Sequence, residues 1–466
     1  MLGLFYKILM KNQGGVIMEM LKSIINGTNA ILWEKNVLVV MLIGMALYAS
    51  YKTKFMQIRL FGEIVKTLKG EKINGEKISS LEAFYLGTAC RVGAGNIAGV
   101  VAAISVGGPG ALFWMWIVAL LGASTAFVES VLSVVHREKD SNGNYRGGTP
   151  WVIKNRLKKK WLGMIYAVAS VICYIGVIQV MANSVTESVV GAYKLNPRII
   201  SVVLALLVAI TIFGKGRKDK IVTALNKIVP IMAFMYLAVV LYVLLTNITE
   251  IPMVFGKIFS AAFGINQFAG GALGGAIMQG VRRGLFSNEA GSGNGNYAAA
   301  LADVDEPVKQ GMVQSLSVFV DTLVICSATA FVVLLASDSG LSGLNGMVLF
   351  QEALKSHIGW IGIPFTVIIL FFFSFSTILG VTFYGRNALQ FISENSKVNI
   401  GYQLIVVWMV YVGGVEQNHF VWSLADFGLG LMTVINIVAI APLINESIVY
   451  LEKYEQKLKG CVKINP

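Results

Sequence analysis

Two charged residues lie within long apolar segments of the sequence, where an ionisable side chain is costly and usually serves a function. Asp321 comes nine residues into a segment that begins near residue 312, so a helix rise of 1.5 Å per residue places it about 13–14 Å from that end. Arg91 lies ten residues into its own segment, from the same face, and reaches a similar depth. We predict that Arg91 and Asp321 form a structural or gating ion pair. The alternative is that each is solvated in a vestibule.

Two other apolar segments carry clusters of glycine. Glycine costs about 1 kcal/mol relative to alanine in a helix interior, but it lets a helix unwind and a backbone approach a ligand. Paired clusters in the two halves of a chain favour broken helices that form a binding site at mid-membrane, and close packing through small residues is the alternative. The clusters are Gly87, Gly93, Gly95 and Gly99 in the segment 81–106, and Gly264, Gly270, Gly271, Gly274, Gly275, Gly280 and Gly284 in the segment 258–285.

Polar side chains in further apolar segments are candidates for the same site. Gln179 and Asn183 are four residues apart and share one helix face. Gln179 is predicted to line the pocket, or else to form an interhelical hydrogen bond. Ser376 and Thr377 offer hydroxyl oxygens to a hard cation, or else bond to carbonyls of their own helix. Glu129 is interpreted as a structural partner rather than a proton relay.

The composition indicates which elements must position these residues. Of 466 residues, 56% are hydrophobic and 14% are charged, and the mean hydropathy is +0.70, whereas globular domains average roughly 45–50% apolar and about 25% charged residues. Long unbroken apolar runs such as 365–375 favour a bundle of spanning helices over a transmembrane barrel. The net charge of +13 resides in loops between these runs, which is typical of membrane orientation and argues against a nucleic-acid partner.

Other classes of function lack the residues that they need. The four cysteines include no CxxC pair and the three histidines are widely spaced, so neither a disulfide framework nor a metal cofactor is expected. The sequence has no HExxH motif, no intramembrane pair of serine and histidine, and no P-loop. We therefore predict that the protein is not an enzyme, has no cofactor beyond a coupling ion, and does not use ATP.

Windows of about 19 residues identify eleven apolar segments. Basic residues cluster after the first, third, fifth and last of them, which predicts an external N-terminus and a cytoplasmic C-terminus. Without the first helix, the other ten divide into two sets of five with opposite orientation, which is the arithmetic of an inverted repeat. The predicted parts are an N-terminal extension (1–33), an additional transmembrane helix (34–51), a basic cytoplasmic loop (52–80), a first five-helix repeat (81–246), an external linker (247–257), a second repeat (258–447) and a cytoplasmic tail (448–466).

Six short motifs point to a known family. They are RVGAGNIAGV (91–100), GGPGALFWMW (107–116), YRGGTPWVI (145–153), RGLFSNEAGSG (283–293), DEPVKQG (305–311) and FVDTLVICSATA (319–330). From about residue 30 to the end, the sequence resembles the alanine/glycine:cation symporter family of the amino acid-polyamine-cation superfamily. The resemblance implies an all-α, leucine-transporter-like fold with a five-plus-five inverted repeat and one additional N-terminal helix. It also implies Na⁺-coupled symport of a small neutral amino acid such as alanine or glycine across the cell (inner) membrane of a prokaryote, by alternating access.

The same resemblance assigns the substrate site. The stretch 92–96 looks like the unwound part of the first broken helix. The amides of Ala94 and Gly95 would hold the substrate carboxylate, and Asn96 would lend its side-chain amide to the substrate or to an ion. The predicted substrate-binding residues are Thr88, Gly93, Ala94, Gly95, Asn96, Gln179, Gly270, Gly271, Gly274, Gly275 and Val381.

The resemblance also implies a sodium site. The ion would lie between the backbone carbonyls of Ala89 and Val92 and the side-chain hydroxyls of Ser376 and Thr377. Carbonyl and hydroxyl oxygens are ligands that suit a hard cation.

Two positions depart from the family pattern. Val381 stands where tryptophan is common, which predicts a larger cavity if this residue lines the pocket. After Gly291 the sequence SGNGNYAAA replaces the usual form, which predicts different gating by this loop. The alternatives are therefore an H⁺-coupled or facilitated transporter of a larger neutral amino acid, or an ion channel. The predicted partners are a small neutral amino acid, Na⁺ and the lipid bilayer, and a monomer is compatible with this organisation.

Overall fold

The structure is a computed structural model that describes residues 14–69, 78–140, 143–214, 219–264, 270–336, 343–344, 346–416 and 418–460. These residues are helical throughout, apart from turns, connecting segments and one short hairpin. In that hairpin, strand β1 (Glu138–Lys139) pairs with strand β2 (Tyr145–Arg146) in antiparallel fashion. The all-α class predicted from the composition is confirmed.

Within residues 14–69, four α-helices precede the first glycine cluster. Residues Ala30–Glu34 continue the first of them as a π-helical turn, and the segment Glu19–Glu34 meets the second at a bend of 46°. The described part of the predicted extension is thus helical, which the sequence analysis did not predict. The four helices are α1 (Gly14–Asn29), α2 (Val37–Lys52), α3 (Met56–Arg59) and α4 (Phe61–Lys66).

The next part of the chain begins with a capped helix. Ser79 Oγ accepts a hydrogen bond from the Glu82 amide (3.2 Å), and Glu82 Oε2 accepts one from the Ser79 amide (3.0 Å), which fixes the start of α5. The helices of this part are α5 (Ser80–Arg91), α6 (Ala98–Gly107), α7 (Gly110–Val135), α8 (Thr149–Asn155), α9 (Lys160–Tyr193), α10 (Pro197–Ile212) and α11 (Lys220–Thr246).

The remaining helices follow a different segmentation from the predicted one. The segment 258–280, expected to be one span, contains the end of α12 and the start of α13, and residues 265–269 between them lie outside the described part. A π-helical stretch, Val320–Cys326, joins α15 to α16. The helices are α12 (Ile251–Ala262), α13 (Gly270–Asn288), α14 (Gly295–Leu301), α15 (Pro307–Phe319), α16 (Ser327–Leu334), α17 (Gly346–Ile358), α18 (Gly362–Ile392), α19 (Ser396–Val415), α20 (Asn418–Ile440) and α21 (Ile444–Leu458).

By length and apolar composition, seven helices among the described residues can cross a membrane, or up to nine if each of two bent pairs is one span. The chain is therefore a multi-pass membrane protein, with fewer qualifying spans than the eleven segments predicted. Burial differs widely among them: 28% of the apolar window of α11 is buried, against 78% of that of Pro307–Leu334. Helix α11 therefore offers most of its surface to lipid, whereas α15 and α16 lie within the protein.

Two helices organise the interior. Helix α9 packs against α18, α19 and α20, and α7 packs against α13 and α15. Glycine permits the close approach of α13 to α7, because a Cβ atom on Gly280 would lie 2.6 Å from the carbonyl oxygen of Ala111 and 2.6 Å from Trp114 Cβ. This is the packing role that was the alternative reading of the second glycine cluster.

Helix α21 lies in the predicted cytoplasmic tail and is tied to several other elements. Glu446 contacts His136 Nε2 at 2.8 Å and Arg156 Nε at 2.7 Å. Glu455 pairs with Arg59 at 2.7 Å. These contacts attach α21 to the ends of α3, α7 and α8.

Candidate functional site

The first interruption of a membrane helix lies between α5 and α6, which meet at a bend of 58°. Val92 and Gly93 are extended, and Ala94–Asn96 form a single 3₁₀ turn. A Cβ atom on Gly93 would collide with Thr377 Oγ1 and lie 3.1 Å from Met181 Sδ. Glycine at this position therefore allows the unwound segment to pass close to α18 and α9, as the first glycine cluster predicts.

A second interruption separates α13 from α14. Its backbone takes left-handed conformations at Glu289 (φ 59°), Gly291 (φ 95°) and Gly293 (φ 83°), which a continuous helix cannot contain. The sequence analysis placed this break at Gly270–Gly275, and the structure corrects that position. Gly274 lies inside α13, fifteen residues before Glu289, or about 22 Å along the helix.

The glycines predicted to face the substrate are consequently remote from the break. Nothing lies within 4 Å of a Cβ atom built on Gly274 or Gly275. The backbone of Gly270 and Gly271 forms the start of α13, and their surroundings lie outside the described part. Gly274 and Gly275 are not among the residues that line the cavity described next.

The two breaks face each other across a small central cavity. Its volume is about 10 Å³, which is roughly the space that one water molecule needs. An amino acid can therefore enter only when the surrounding helices separate. The cavity is lined by Cys90, Arg91, Gly93, Gly95, Cys173, Val177, Met181, Phe286, Glu289, Asn294, Thr377 and Leu429.

Asn96 stabilises the first break instead of facing this cavity. Its Oδ1 accepts a hydrogen bond from the Gly93 amide (2.8 Å), and its Nδ2 donates to Asp321 Oδ1 (2.6 Å). The other carboxylate oxygen of Asp321 accepts hydrogen bonds from Ser287 and Thr322, each at 2.8 Å. Asn96 and Asp321 thus connect the first break to α13 and to the π-helical stretch.

The predicted ion pair between Arg91 and Asp321 is not formed. Arg91 Nε donates to the Asn288 carbonyl at the end of α13 (2.7 Å), and Nη1 donates to Gln314 (2.7 Å) and Ser317 (2.9 Å) on α15. The two charged residues do share a depth, but each turns to different partners. Arg91 joins the two broken helices at their ends through a backbone carbonyl.

Of the residues predicted for sodium, Thr377 meets Ala89 and Val92, whereas Ser376 bonds to a carbonyl of its own helix, which was the alternative. Thr377 Oγ1 on α18 donates to the Ala89 carbonyl (2.9 Å) and lies 3.4 Å from the Val92 carbonyl. Ser376 Oγ lies one residue earlier and donates to the Phe373 carbonyl at 3.0 Å. Carbonyl and hydroxyl oxygens therefore converge where α5 unwinds.

Three other predicted site residues lie elsewhere. Gln179 Nε2 contacts Met409 Sδ on α19 (3.2 Å), and the Thr88 hydroxyl contacts Ser317 Oγ (3.2 Å). Val381 is buried but does not line the cavity. Valine at this position therefore does not widen the pocket. The contact of Gln179 with α19 is the interhelical role given as its alternative, and Asn183 likewise donates to two backbone carbonyls at the end of α19.

The second break contributes residues that the sequence analysis missed. Glu289 Oε1 accepts a hydrogen bond from Asn294 Nδ2 (3.0 Å), and Asn294 Oδ1 accepts one from the Tyr174 hydroxyl (2.8 Å). The middle of the break is held by Glu129, which accepts hydrogen bonds from Asn436 (2.7 Å) and the Gly291 amide (3.4 Å). An acidic residue beside glycines in an apolar region was the available signal for Glu289.

Charged and aromatic side chains cover one end of the cavity. Asp426 on α20 accepts hydrogen bonds from Arg282 Nη2 (2.6 Å) and Nε (3.1 Å). The guanidinium of Arg283 lies 4.3 Å from the Trp422 ring centre, and that ring packs on Phe286 at 4.7 Å. We call Arg282, Arg283, Phe286, Trp422 and Asp426 the Asp426 cluster.

A second ion pair lies beyond the other end of the cavity. Arg386 Nη2 on α18 contacts Asp219 Oδ2 before α11 at 2.7 Å. Both residues line a larger cavity of about 290 Å³, which also reaches Glu82 on α5 and Leu301 on α14. The central cavity thus lies between two layers that each contain an ion pair.

The sequence is similar to those of known transporters. The chain matches the sodium:alanine symporter family over residues 18–464. The probable sodium/glutamine symporter GlnT of Bacillus subtilis is 38% identical over 446 residues, which cover 95% of this chain and 92% of the relative. The sodium/alanine symporter AgcS of Methanococcus maripaludis is 34% identical over 432 residues, with 90% and 94% covered.

Solved structures share the fold at low sequence identity. MhsT in complex with L-phenylalanine has a TM-score of 0.55 and 15% identity, covering 79% of this chain and 89% of that one. A manganese transporter of Eremococcus coleocola has a TM-score of 0.52 and 14% identity, covering 82% and 81%. The fold is that of leucine-transporter-like membrane transporters and not that of an enzyme. With two interrupted helices, a shared cavity and a match along nearly its whole length, the chain belongs to the sodium:alanine symporter family.

Proposed function

We propose that this chain carries a small neutral amino acid, such as alanine or glycine, together with Na⁺ across the cell membrane of a prokaryote. The observation that carries this proposal is the convergence of Thr377 Oγ1 on the carbonyl oxygens of Ala89 and Val92. These three atoms are neutral oxygen ligands. Such a set suits a monovalent hard cation, because divalent calcium sites commonly add carboxylates.

The amino acid would occupy the central cavity beside this ion. In our proposal its carboxylate is held by the amides of Ala94 and Gly95. The Ala94 amide now contacts Met181 Sδ at 3.3 Å, and a thioether is a weak acceptor that a carboxylate would readily replace.

Transport would follow from the positions of the two breaks. In the proposed inverted repeat, α5 with α6 begins the first set of five spans, and α13 with α14 begins the second, with the N-terminus outside and the C-terminus inside. The Asp426 cluster would close the external end, and the pair Asp219–Arg386 would close the cytoplasmic end. Alternating access requires that these layers open in turn.

The test is uptake of radiolabelled alanine into proteoliposomes with an inward Na⁺ gradient, an inward H⁺ gradient, or neither. We expect accumulation with Na⁺ alone. Thr377→Val, which removes a hydroxyl with little change of shape, should raise the Na⁺ concentration for half-maximal uptake about tenfold. The matched control is Thr382→Val, because Thr382 lies on the same helix and its hydroxyl bonds to the Ile378 carbonyl of its own helix (2.6 Å).

Each possible result has a clear meaning. Accumulation with the H⁺ gradient alone would show that the coupling ion is H⁺ and not Na⁺. Equilibration without accumulation under either gradient would contradict symport. An unchanged Na⁺ dependence in Thr377→Val would refute the proposed ion site. It would not contradict the proposed transport activity.

A further inference from the structure

The second break places a buried carboxylate with one free oxygen at the wall of the central cavity. Glu289 is 5% exposed and lines the cavity together with Gly93, Gly95 and Thr377. Its Oε1 accepts a hydrogen bond from Asn294, whereas its Oε2 has no hydrogen-bond partner among the described residues. A carboxylate oxygen in this state requires a cationic or hydrogen-bonding partner, because burial removes its water.

The local backbone increases this requirement. Glu289 directly follows the last residue of α13, and its amide still bonds to the Leu285 carbonyl at 2.9 Å. The C-terminal end of a helix carries a partial negative charge, so an acidic side chain there is unfavourable by itself. A cation that arrives from the cavity would relieve both effects.

Among the described residues, none forms an ion pair with Glu289, although the charge of Arg91 acts on it from the same cavity wall. Arg91 lines the same cavity, but its hydrogen bonds go to Asn288, Gln314 and Ser317, and it forms no ion pair with Glu289 in the described part of the chain. The candidate partners are therefore the ammonium group of an amino acid and the coupling ion. In our proposal the latter binds to the neutral oxygens of Thr377, Ala89 and Val92.

The Glu289 side chain is also held in a fixed orientation. Asn294 donates to Oε1 and accepts a hydrogen bond from Tyr174 on α9. Tyr174 and Asn294 thereby act as positioning residues that leave Oε2 free. A fixed charged acceptor suits an ammonium group, since charge-assisted hydrogen bonds are about twice as strong as neutral ones.

We propose that Glu289 Oε2 binds the ammonium group of the transported amino acid and so restricts transport to substrates with a cationic amine. This inference rests on the proposed function, because it names a specificity-determining residue of the same site. The amides of the first break would hold one end of the zwitterion, and Glu289 on the second break would hold the other. Binding would then draw the two broken helices together.

The experiment compares wild type, Glu289→Gln and Glu289→Asp in proteoliposomes with a Na⁺ gradient. We expect Glu289→Gln to raise the KM for L-alanine at least tenfold, because a charge-assisted hydrogen bond is lost. The Na⁺ concentration for half-maximal uptake should change less than twofold. Glu289→Asp keeps the charge and should recover part of the affinity.

Competition by L-lactate supplies the readout that a merely structural role would not change. Lactate has a hydroxyl group in place of the ammonium, so the wild type should exclude it. The ratio of the inhibition constant of lactate to that of alanine should fall at least tenfold in Glu289→Gln. The ligand-free melting temperature of each variant shows whether it is folded. If Glu289→Gln does not fold, the KM of Glu289→Asp decides, with a rise of several-fold expected.

Three results would overturn the proposal or separate it from the proposed function. A wild-type KM and wild-type exclusion of lactate in Glu289→Gln would refute it. A change in Na⁺ dependence with unchanged selectivity would assign the carboxylate to the ion instead. Failure of the wild type to accumulate alanine would contradict the proposed function itself.

Discussion

The Asp426 cluster allows a quantitative test of alternating access through the substitution Asp426→Asn. Asp426 is 1% exposed and accepts two hydrogen bonds from Arg282 at 2.6 and 3.1 Å. Removing one partner of a buried ion pair costs about 3–5 kcal/mol. Asparagine keeps a carbonyl acceptor, so we take the smaller loss of about 2 kcal/mol that belongs to a charged hydrogen bond. This would shift the equilibrium between the closed and open cluster about thirtyfold toward opening.

Native cysteines report this shift directly. Cys90 and Cys173 line the central cavity, whereas Cys326 is buried beside Asn96 and Ser287, whose side chains contact its sulfur at 3.3 and 3.2 Å. A membrane-impermeant thiol reagent added from the side of the cluster should modify Cys173 up to about thirtyfold faster in Asp426→Asn than in wild type. Cys326 serves as the internal reference, and mass spectrometry identifies the modified site.

The control for this experiment opens the other layer. Asp219→Asn removes the partner of Arg386 and should increase labelling of Cys173 from the opposite side only. An unchanged rate of Cys173 labelling in folded Asp426→Asn would refute the claim that the cluster closes the cavity. Faster labelling of Cys326 to the same extent would indicate general loosening and would also count against it.

Three further predictions concern stability. Gly280→Ala should lower the melting temperature, because overpacking between α13 and α7 costs about 1–3 kcal/mol, whereas Gly274→Ala, with nothing within 4 Å, should not. Asn96→Ala leaves the Gly93 amide and the buried carboxylate oxygen of Asp321 without their partner, at a cost of about 1–3 kcal/mol each. This substitution should lower the melting temperature and abolish uptake of every substrate alike. Burial lowers the pKa of His136 below its usual 6.5 despite the nearby Glu446. The unfolded chain therefore binds the proton more readily than the folded protein does, so the free energy of unfolding should fall as the pH drops below about 6.5. The replacement His136→Gln should flatten this dependence in thermal melts between pH 5 and 7, and an unchanged slope would contradict the assignment.

The sequence predicted the class of the protein and the first break well, because both depend on local composition. Apolar runs require spanning helices, and Gly93 lies where α5 passes close to α18. The second break was misplaced because glycine serves two purposes along α13. Gly280 permits helix packing, whereas the interruption depends on the left-handed backbone at Glu289, Gly291 and Gly293, which residue counts do not reveal.

Side-chain direction was the other part that the sequence could not supply. Depth along a helix placed Arg91 and Asp321 at one level, but their partners depend on the rotation of each helix and on the π-helical stretch around Asp321. The cavity-facing side of α9 carries Cys173, Val177 and Met181, each four residues apart. Gln179 lies two residues from Val177, which is about 200° around a helix of 3.6 residues per turn, and so faces α19.

The exposure of α11 connects the bilayer to the proposed ion site. This helix presents most of its apolar window to lipid, yet Met232 on its inner side contacts the Ser376 hydroxyl at 3.4 Å. A change in hydrocarbon thickness tilts spanning helices to restore their match with the membrane. Acyl chain length is therefore expected to alter the apparent Na⁺ affinity. Measurements in short-chain and long-chain liposomes would then describe the same protein with α11 at different tilts.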